Sequence, residues 1–353
     1  MGDLIVVHPD FDGVWPFAAG HFHALWPDAE LIRTAHGDDR PLGEVVADAG
    51  PADSGPVDHE GLADHAGRVT RLATLGMKVT VECLRKFDAL EEATFQAAYG
   101  LGLDEACDAY LAEAGVAVYV HPSEGFWSQS VAEFGLALTL CGLRRIPQLH
   151  REIIDGQGPW DYEPPGGRGR SGARGQQFGD DPAFANGTLA GKRVRIVGAG
   201  NIASRYASFA SMLGADVASW DPYATEPGFH RAGARRVYHL DQLVSDAEVF
   251  APMVPLTEST HGLVVAEYID ALPRGCLVVL VTRALICDME AVRRRVLADE
   301  LSLAADVWDI EPLPLGDPLL GRHNVVHTPH NAGRTIDANR AWAEKLADQF
   351  RPR

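Results

Sequence analysis

The chain of 353 residues is 46% hydrophobic and 23% charged, a globular composition whose length suits about two domains. Its 31 Lys and Arg against 49 Asp and Glu leave a formal charge of −18 at pH 7. That balance disfavours nucleic acid and anionic membranes as partners and requires a local basic spot for any anionic substrate.

No run approaches the ~18 uninterrupted apolar residues of a membrane helix. At the N-terminus, Met1-Gly2-Asp3-Leu4-Ile5-Val6-Val7-His8 carries an acid where a signal peptide places basic residues, and its apolar run is strand-sized. The expectation is a cytoplasmic protein that opens on a strand. Cys83, Cys107, Cys141, Cys276 and Cys287 form no Cys-x-x-Cys pair and are odd in number, so they read as reduced, buried small hydrophobes. No metal site is expected.

Up to about residue 125, the β-like runs Leu4–Val7, Glu30–Arg33, Val69–Thr74 and Val116–Val120 alternate with helix-like stretches such as Asp104–Ala114, the pattern of a small α/β domain. The almost continuous apolar stretch Val131–Leu143 predicts a helix buried on all sides at a domain or subunit junction, with Pro147 interrupting it before Leu149–Ile154. Residues 156–188 include Pro164-Pro165-Gly166-Gly167-Arg168-Gly169-Arg170 and lack the apolar surface to order themselves, so they read as a mobile loop or linker. An Arg/Gly run can bind RNA, but a few arginines in an acidic protein make a weak case.

Beyond the loop, Arg193–Val197, Asp216–Trp220, Glu248–Met253, Cys276–Val281 and Ser302–Val307 read as buried parallel strands. Asn201–Leu213, Ala266–Leu272 and Met289–Leu297 read as the connecting helices, and together they predict a doubly wound sheet. Its first strand runs into Gly198-Ala199-Gly200-Asn201-Ile202-Ala203, a Gly-x-Gly-x-x-Ala fingerprint. Gly198 permits the tight turn, Gly200 lets backbone approach a pyrophosphate, and Ala203 allows close helix packing. The phosphates would sit on the helix N-terminus. Asp221 ends the next strand 21 residues after Gly200, where an acid accepts hydrogen bonds from ribose hydroxyls and repels a 2′-phosphate, favouring NAD over NADP.

Three later segments concentrate residues that are costly to bury without purpose: Val281-Thr282-Arg283-Ala284-Leu285, Asp306-Val307-Trp308-Asp309-Ile310-Glu311-Pro312 and His327-Thr328-Pro329-His330-Asn331-Ala332-Gly333. Arg283 and Asp306 each follow an apolar strand, at the carboxyl ends where ligands bind in open α/β sheets. Reducing a ketone requires a proton donor at oxygen as hydride reaches carbon, and histidine suits that task. A neighbouring carboxylate favours the imidazolium, and a guanidinium fork fits the coplanar oxygens of a 2-keto acid. Taken singly, Arg283 could be a surface ion pair, Glu311 a loop carboxylate and His330 a capped core histidine. His327 reads as structural.

The order of these motifs, with Val131-Ala132-Glu133 and Val254-Pro255-Leu256-Thr257-Glu258-Ser259-Thr260, resembles the D-isomer-specific 2-hydroxyacid dehydrogenases, strongly from about Val131 to Thr335 and more loosely before. By that resemblance Arg283 holds the substrate carboxylate and carbonyl, His330 is the acid/base, and Glu311 orients and charges it. The cofactor NAD would also meet Asn201, Ile202, Pro255, Thr260, Val281, Thr282 and Gly333, with Asp306 facing the nicotinamide carboxamide. Tyr99-Gly100-Leu101-Gly102-Leu103-Asp104 looks like the family's glycine-rich loop, so Leu101 and Gly102 would meet the substrate carboxylate, with Gly76 in a second wall. Leu280 and Ala284 replace the usual Asn and Gly around the arginine, and the 156–188 segment exceeds the family's usual connection.

The implied architecture is a flavodoxin-like α/β substrate domain over 1–128, completed by a C-terminal helix at 336–353, and a Rossmann-type NAD domain over 129–335. The resemblance also implies a homodimer joined through the NAD domains and a small anionic 2-keto or 2-hydroxy acid as substrate. Rival readings are a dehydrogenase for phosphite or a phosphonate, an NAD(H)-sensing corepressor-like binding protein, and a purely structural Rossmann module. Glu311 stands where formate dehydrogenases carry glutamine, which disfavours that subgroup.

Overall fold

The computed structural model describes residues 2–35, 40–48, 66–96, 103–119, 125–160 and 179–350. Leu101, Gly102 and the Arg/Gly run 164–175 lie outside them. The chain divides into two units, Met1–Phe126 with Arg334–Arg353, and Trp127–Gly333.

In the first unit, β1 (Asp3–Val7), β2 (Glu30–Arg33), β3 (Arg71–Leu75), β4 (Glu92–Gln96) and β5 (Ala117–Tyr119) form a parallel sheet in the order β2-β1-β3-β4-β5. This is the flavodoxin-like order. Four strands fall on the predicted runs; β4 does not, because Glu92-Ala93-Thr94-Phe95-Gln96 is too polar to read as a buried strand. Its Thr94 and Gln96 are nevertheless buried, and they satisfy one another through a 3.0 Å hydrogen bond from Gln96 Nε2 to Thr94 Oγ1. The C-terminal helix runs Ile336–Gln349, starting where the Thr335 hydroxyl accepts the Ala338 amide at 3.1 Å. It buries Trp342 completely against the rings of Phe11 (5.1 Å) and Trp15 (5.8 Å). Truncating a buried aromatic of this kind costs roughly 3–5 kcal/mol, so the last helix is integral to the unit that the first residues begin.

In the second unit, β6 (Arg193–Val197), β7 (Asp216–Trp220), β8 (Arg235–Arg236), β9 (Val249–Pro252), β10 (Leu277–Leu280), β11 (Ser302–Ala305) and β12 (Val325–His327) form a parallel sheet in the order β12-β11-β10-β9-β6-β7-β8. The five apolar runs became its centre, buried on both faces as parallel strands must be. The short outer strands β8 and β12 carry too few residues to show a period. Arg195, inside β6 and only 2% exposed, is tolerated because Asp246 takes its Nε and Nη2 at 2.7 Å each and Asp216 takes Nη2 at 3.0 Å. The chain leaves β6 toward β7 and β8 and then crosses back to β9, which creates the crevice at the carboxyl ends of β6 and β9.

The expectation of a helix buried on all sides is corrected. The helix Ser128–Arg144 buries Val131, Ala132, Gly135, Leu138, Thr139 and Leu143, while Glu133, Ala137 and Arg144 are exposed. Gly135 sits at a close part of this face: a Cβ there would lie 3.3–3.4 Å from the side chains of Met253, Tyr206 and Val281, which would have to give by a few tenths of an ångström. The break falls at Arg145, in the left-handed conformation with φ 51°, and the next helix, Ile146–Asp155, has no buried residue. A second correction concerns the 156–188 loop, whose residues 179–188 are pinned. Gly179 O accepts from Arg145 Nη1 at 3.2 Å, Ala185 N donates to Gly275 O at 2.8 Å and Gly187 N to Leu143 O at 3.2 Å. Backbone bonds to other elements fixed what composition alone left loose.

All five cysteines are free, and four are buried. Burial raises the Cys107 thiol to about 11 and Cys287 to about 12, and pushes Cys276 higher still, so none of the three is a thiolate at neutral pH. Among the described residues no helix is long and apolar enough to cross a membrane, and no group of three or more His, Cys, Asp or Glu is arranged to hold a metal ion.

Candidate active site

Because every strand of the second sheet is parallel, the segments that follow the strands share one edge. At the end of β6, Gly198 adopts φ +110°. A Cβ there would stand 2.9 Å from Met253 O and from Val254 Cγ1, so only glycine fits both the backbone and the space. Gly200 caps the helix Asn201–Met212, and nothing lies within 4 Å of where its Cβ would be. Free amides at a helix start beside open space form an anion cradle, and the pyrophosphate of a dinucleotide fits it. Asn201 is exposed and Ile202 half-buried at this same start.

Asp221, at the end of β7, does more than the sequence suggested. Its Oδ2 accepts the Ala199 amide at 2.8 Å, inside the glycine turn, and its Oδ1 accepts the amides of Tyr223 (2.9 Å) and Ala224 (3.1 Å). An ionised carboxylate offers about four acceptor sites, so capacity remains for a ribose hydroxyl. Ser219 braces the turn from below by donating to Gly198 O at 2.6 Å.

Beyond β9, Thr260 Oγ1 donates to Pro255 O and accepts the Thr257 amide at 2.8 Å, so Pro255 and Thr260 belong to one closed turn. Beyond β10, Val281 and Thr282 are buried, and Thr282 Oγ1 donates to Pro252 O at 3.3 Å. Arg283 follows, exposed, its Nη1 donating to Thr282 O at 2.7 Å. Among the described residues no carboxylate pairs with it, which leaves most of its donor fork for a ligand.

The ends of β11 and β12 carry the third group. His330 Nδ1 lies 2.7 Å from Glu311 Oε2, and Glu311 Oε1 accepts the Trp308 amide at 2.8 Å. Both side chains of the pair are a little over one-third exposed. The contact at Nδ1 leaves Nε2 without a hydrogen-bond partner among the described residues. Asp306 is fully buried, and its carboxylate accepts Thr328 Oγ1 (2.6 Å), Asn331 N (3.1 Å) and Ala332 N (2.8 Å). It therefore grips both sides of His330, which itself sits at φ 55°. Trp308 adds an indole bond to Thr328 O at 3.1 Å.

The structure thus brings Glu311 and His330 into contact and sets Asp306 beneath them, with Arg283 following the neighbouring strand β10. Gly333 stands one residue past the gripped loop; a Cβ there would meet Trp127 Cβ at 3.3 Å. Gly76 belongs to the other unit, where at φ 75° it ends β3 and donates to Gln96 O at 2.8 Å. His327 accepts the Gly321 amide at 3.4 Å and tilts against Trp308, in keeping with a structural role. Sequence reasoning missed the supports, Trp308, Thr328 and the Ala199–Asp221 bond. The only available signal was that Trp308 and Thr328 lie inside the motif segments.

Residues 136–332 match the family model described as "D-isomer specific 2-hydroxyacid dehydrogenase, NAD binding domain", more than half of the chain. The chain belongs to this family. Among curated members it is 27% identical to a D-3-phosphoglycerate dehydrogenase of Methanocaldococcus jannaschii, over 78% of this chain and 48% of that protein. A glyoxylate reductase of Korarchaeum cryptofilum is 26% identical over 75% of this chain and 74% of its own length. A hydroxypyruvate reductase of Thermotoga maritima is 28% identical over 80% and 82%. The match spans about half the length of the phosphoglycerate dehydrogenases, 48% and 41% of the first two. In fold, a phosphoglycerate oxidoreductase from Rhizobium etli superposes with a TM-score of 0.67 at 20% identity, covering 97% of this chain and 92% of that one. The matched segment corresponds to the family's NAD-binding domain, and the glycine turn, Asp221, Arg283, Glu311 and His330 all fall within it.

Proposed function

We propose that the protein transfers a hydride between NAD(H) and the C2 carbon of a small D-2-hydroxy acid or 2-keto acid. The observation that carries this reading is the 2.7 Å contact between Glu311 and His330 at the sheet edge that also presents the glycine turn and Arg283, a guanidinium without a carboxylate partner among the described residues. The residues that would hold NAD are Gly198, Gly200, Asn201 and Ile202 at the phosphates, Asp221 at the ribose, and Pro255, Thr260, Val281, Thr282, Asp306 and Gly333 toward the nicotinamide. When bound, the nicotinamide supplies or accepts the hydride. Arg283 holds the substrate's carboxylate and carbonyl oxygens with its planar fork. In reduction, His330 Nε2 gives its proton to the carbonyl oxygen as C2 gains hydride; in oxidation it takes that proton from the hydroxyl. Glu311 fixes the ring through Nδ1.

This reading assigns the cofactor to the unit Trp127–Gly333 and substrate choice to the other unit, through Gly76, Leu101 and Gly102. Asp221 favours NAD over NADP, since a 2′-phosphate would face its charge. The five free cysteines suit a cytoplasmic setting. A second copy of the chain would cover the helix Ile146–Asp155, whose Ile146, Ile153 and Ile154 are exposed together with Trp160. Sedimentation of wild type and Ile153→Asp tests that homodimer.

The activity test is a panel of 2-keto acids and oxoanions, phosphite and phosphonates included, followed by nicotinamide absorbance. Turnover of a 2-keto acid that His330→Asn lowers by roughly 10²–10⁴-fold supports the reading. Turnover confined to an oxoanion, or NAD binding with no turnover at all, overturns it.

A further inference from the structure

We infer that Arg293 is a positioning residue for proton transfer, a clamp that ties both ends of the loop presenting Glu311 to His330. The inference rests on the reading of Glu311 and His330 as the proton-transfer pair. Arg293 lies on the helix Met289–Leu297, which the Asp288 carboxylate caps by accepting the Ala291 amide at 2.9 Å. Its guanidinium takes two carboxylates at once. Nε and Nη2 meet Asp309 Oδ2 and Oδ1 at 3.0 and 2.7 Å, and Nη1 meets Asp317 Oδ1 and Oδ2 at 3.1 and 2.9 Å.

Glu311 sits between those two aspartates, on a stretch from Val307 to Asn324 that has neither helix nor strand. Apolar packing around Glu311 is partial: Trp308 and Leu319 are buried and Leu313 packs against the same core, but Ile310 is 59% and Leu315 98% exposed. Polar contacts supply further restraint. Asp309 stands between Trp308, whose amide binds Glu311 Oε1, and Glu311 itself. Asp317, with its side chain only 8% exposed, also caps the following turn by accepting the Leu319 amide at 2.9 Å. Burial pushes the Asp309 carboxyl up, but the hydrogen bonds and charge of Arg293, with backbone amides of the loop, outweigh it and hold the group below the ordinary carboxylate range, so this half of the clamp is ionised at neutral pH. Only a planar, forked cation engages two carboxylates side on; an ammonium cannot.

A clamp and a plain stabilising ion pair differ in how they couple to Glu311. The test measures kcat for keto-acid reduction and NADH affinity by fluorescence in Arg293→Met and Arg293→Lys, alone and combined with Glu311→Gln. The clamp predicts that Arg293→Met lowers kcat roughly 10–100-fold, the scale of a small misplacement of reacting groups, and that Arg293→Lys recovers only part of it. NADH affinity stays within about twofold. In the Glu311→Gln background the same Arg293→Met change costs less than about threefold further, because its target is gone. Arg294→Met, which removes a neighbouring pair with Asp270 on the exposed face, leaves kcat unchanged. Should Arg293→Met fold poorly, Asp309→Asn and Asp317→Asn release one end each and are read in the same way. Unchanged kcat in Arg293→Met, or a loss that recurs in full beside Glu311→Gln, overturns the clamp alone. A silent Glu311→Gln removes the proton-pair reading, and the clamp with it.

Discussion

The buried carboxylate of Asp306 accepts the Ala332 amide at 2.8 Å, two residues from His330. With its bonds to Asn331 N and Thr328 Oγ1, it holds a histidine in a left-handed backbone conformation that a non-glycine residue adopts at a cost of about 1–3 kcal/mol. Asp306→Asn keeps the size but turns an NH2 group toward amide donors. Urea unfolding should show a loss of about 1–3 kcal/mol, as expected for buried donors left without an acceptor. Turnover should fall at least roughly 10-fold through displacement of His330. Native stability together with native turnover would show that the loop holds itself.

The Asp221 carboxylate, which in the proposed function would meet the cofactor's ribose, also holds Ala199 N in the glycine turn. Catalytic efficiency with NADH should exceed that with NADPH severalfold or more. Asp221→Ser should narrow that gap and also weaken NADH binding, since the turn loses its brace. Equal efficiencies in the unaltered protein would sink the assignment.

Arg283 is exposed beyond β10 with most of its donors unused by the described residues. Arg283→Lys keeps the charge and loses the fork, so kcat/KM for a keto acid should fall at least roughly 100-fold while NADH affinity barely changes. Unchanged turnover would reassign Arg283 to a surface role.

Far from this edge, the Arg195–Asp246 pair predicts a pH effect on stability. The hydrogen bond from Arg195 is the main reason that the Asp246 carboxyl is held below its ordinary value, burial opposing it. A group with a depressed folded pKa adds stability above its unfolded pKa, about 3.9, and loses it as pH falls through the folded value. The Tm difference between wild type and Asp246→Asn should therefore stay constant from pH 7 to about 5 and close below about pH 4. A difference that does not change down to pH 2 would mean the pair is not ionic in the native state.

Much of this molecule is written locally. A parallel sheet covered on both faces must be built from continuous apolar runs, so the central strands of the second unit are plain in the chain, as is the turn where Gly198 escapes a clash that any side chain would meet. The order of the motifs identifies the family for the same local reason. Strands such as β4, β8 and β12 stayed hidden because they are short or polar, and their neighbours, not their own period, make them strands. The side-chain geometry was hidden more deeply. Glu311 meets His330 across 19 residues, Asp306 meets Ala332 across 26, and Arg293 meets Asp309 across 16 and Asp317 across 24. Periodicity decides which residues lie in a strand and which follow it, but not where a side chain beyond the strand's end will point. That direction is set by hydrogen bonds between neighbouring strand ends, which exist only once the sheet has formed.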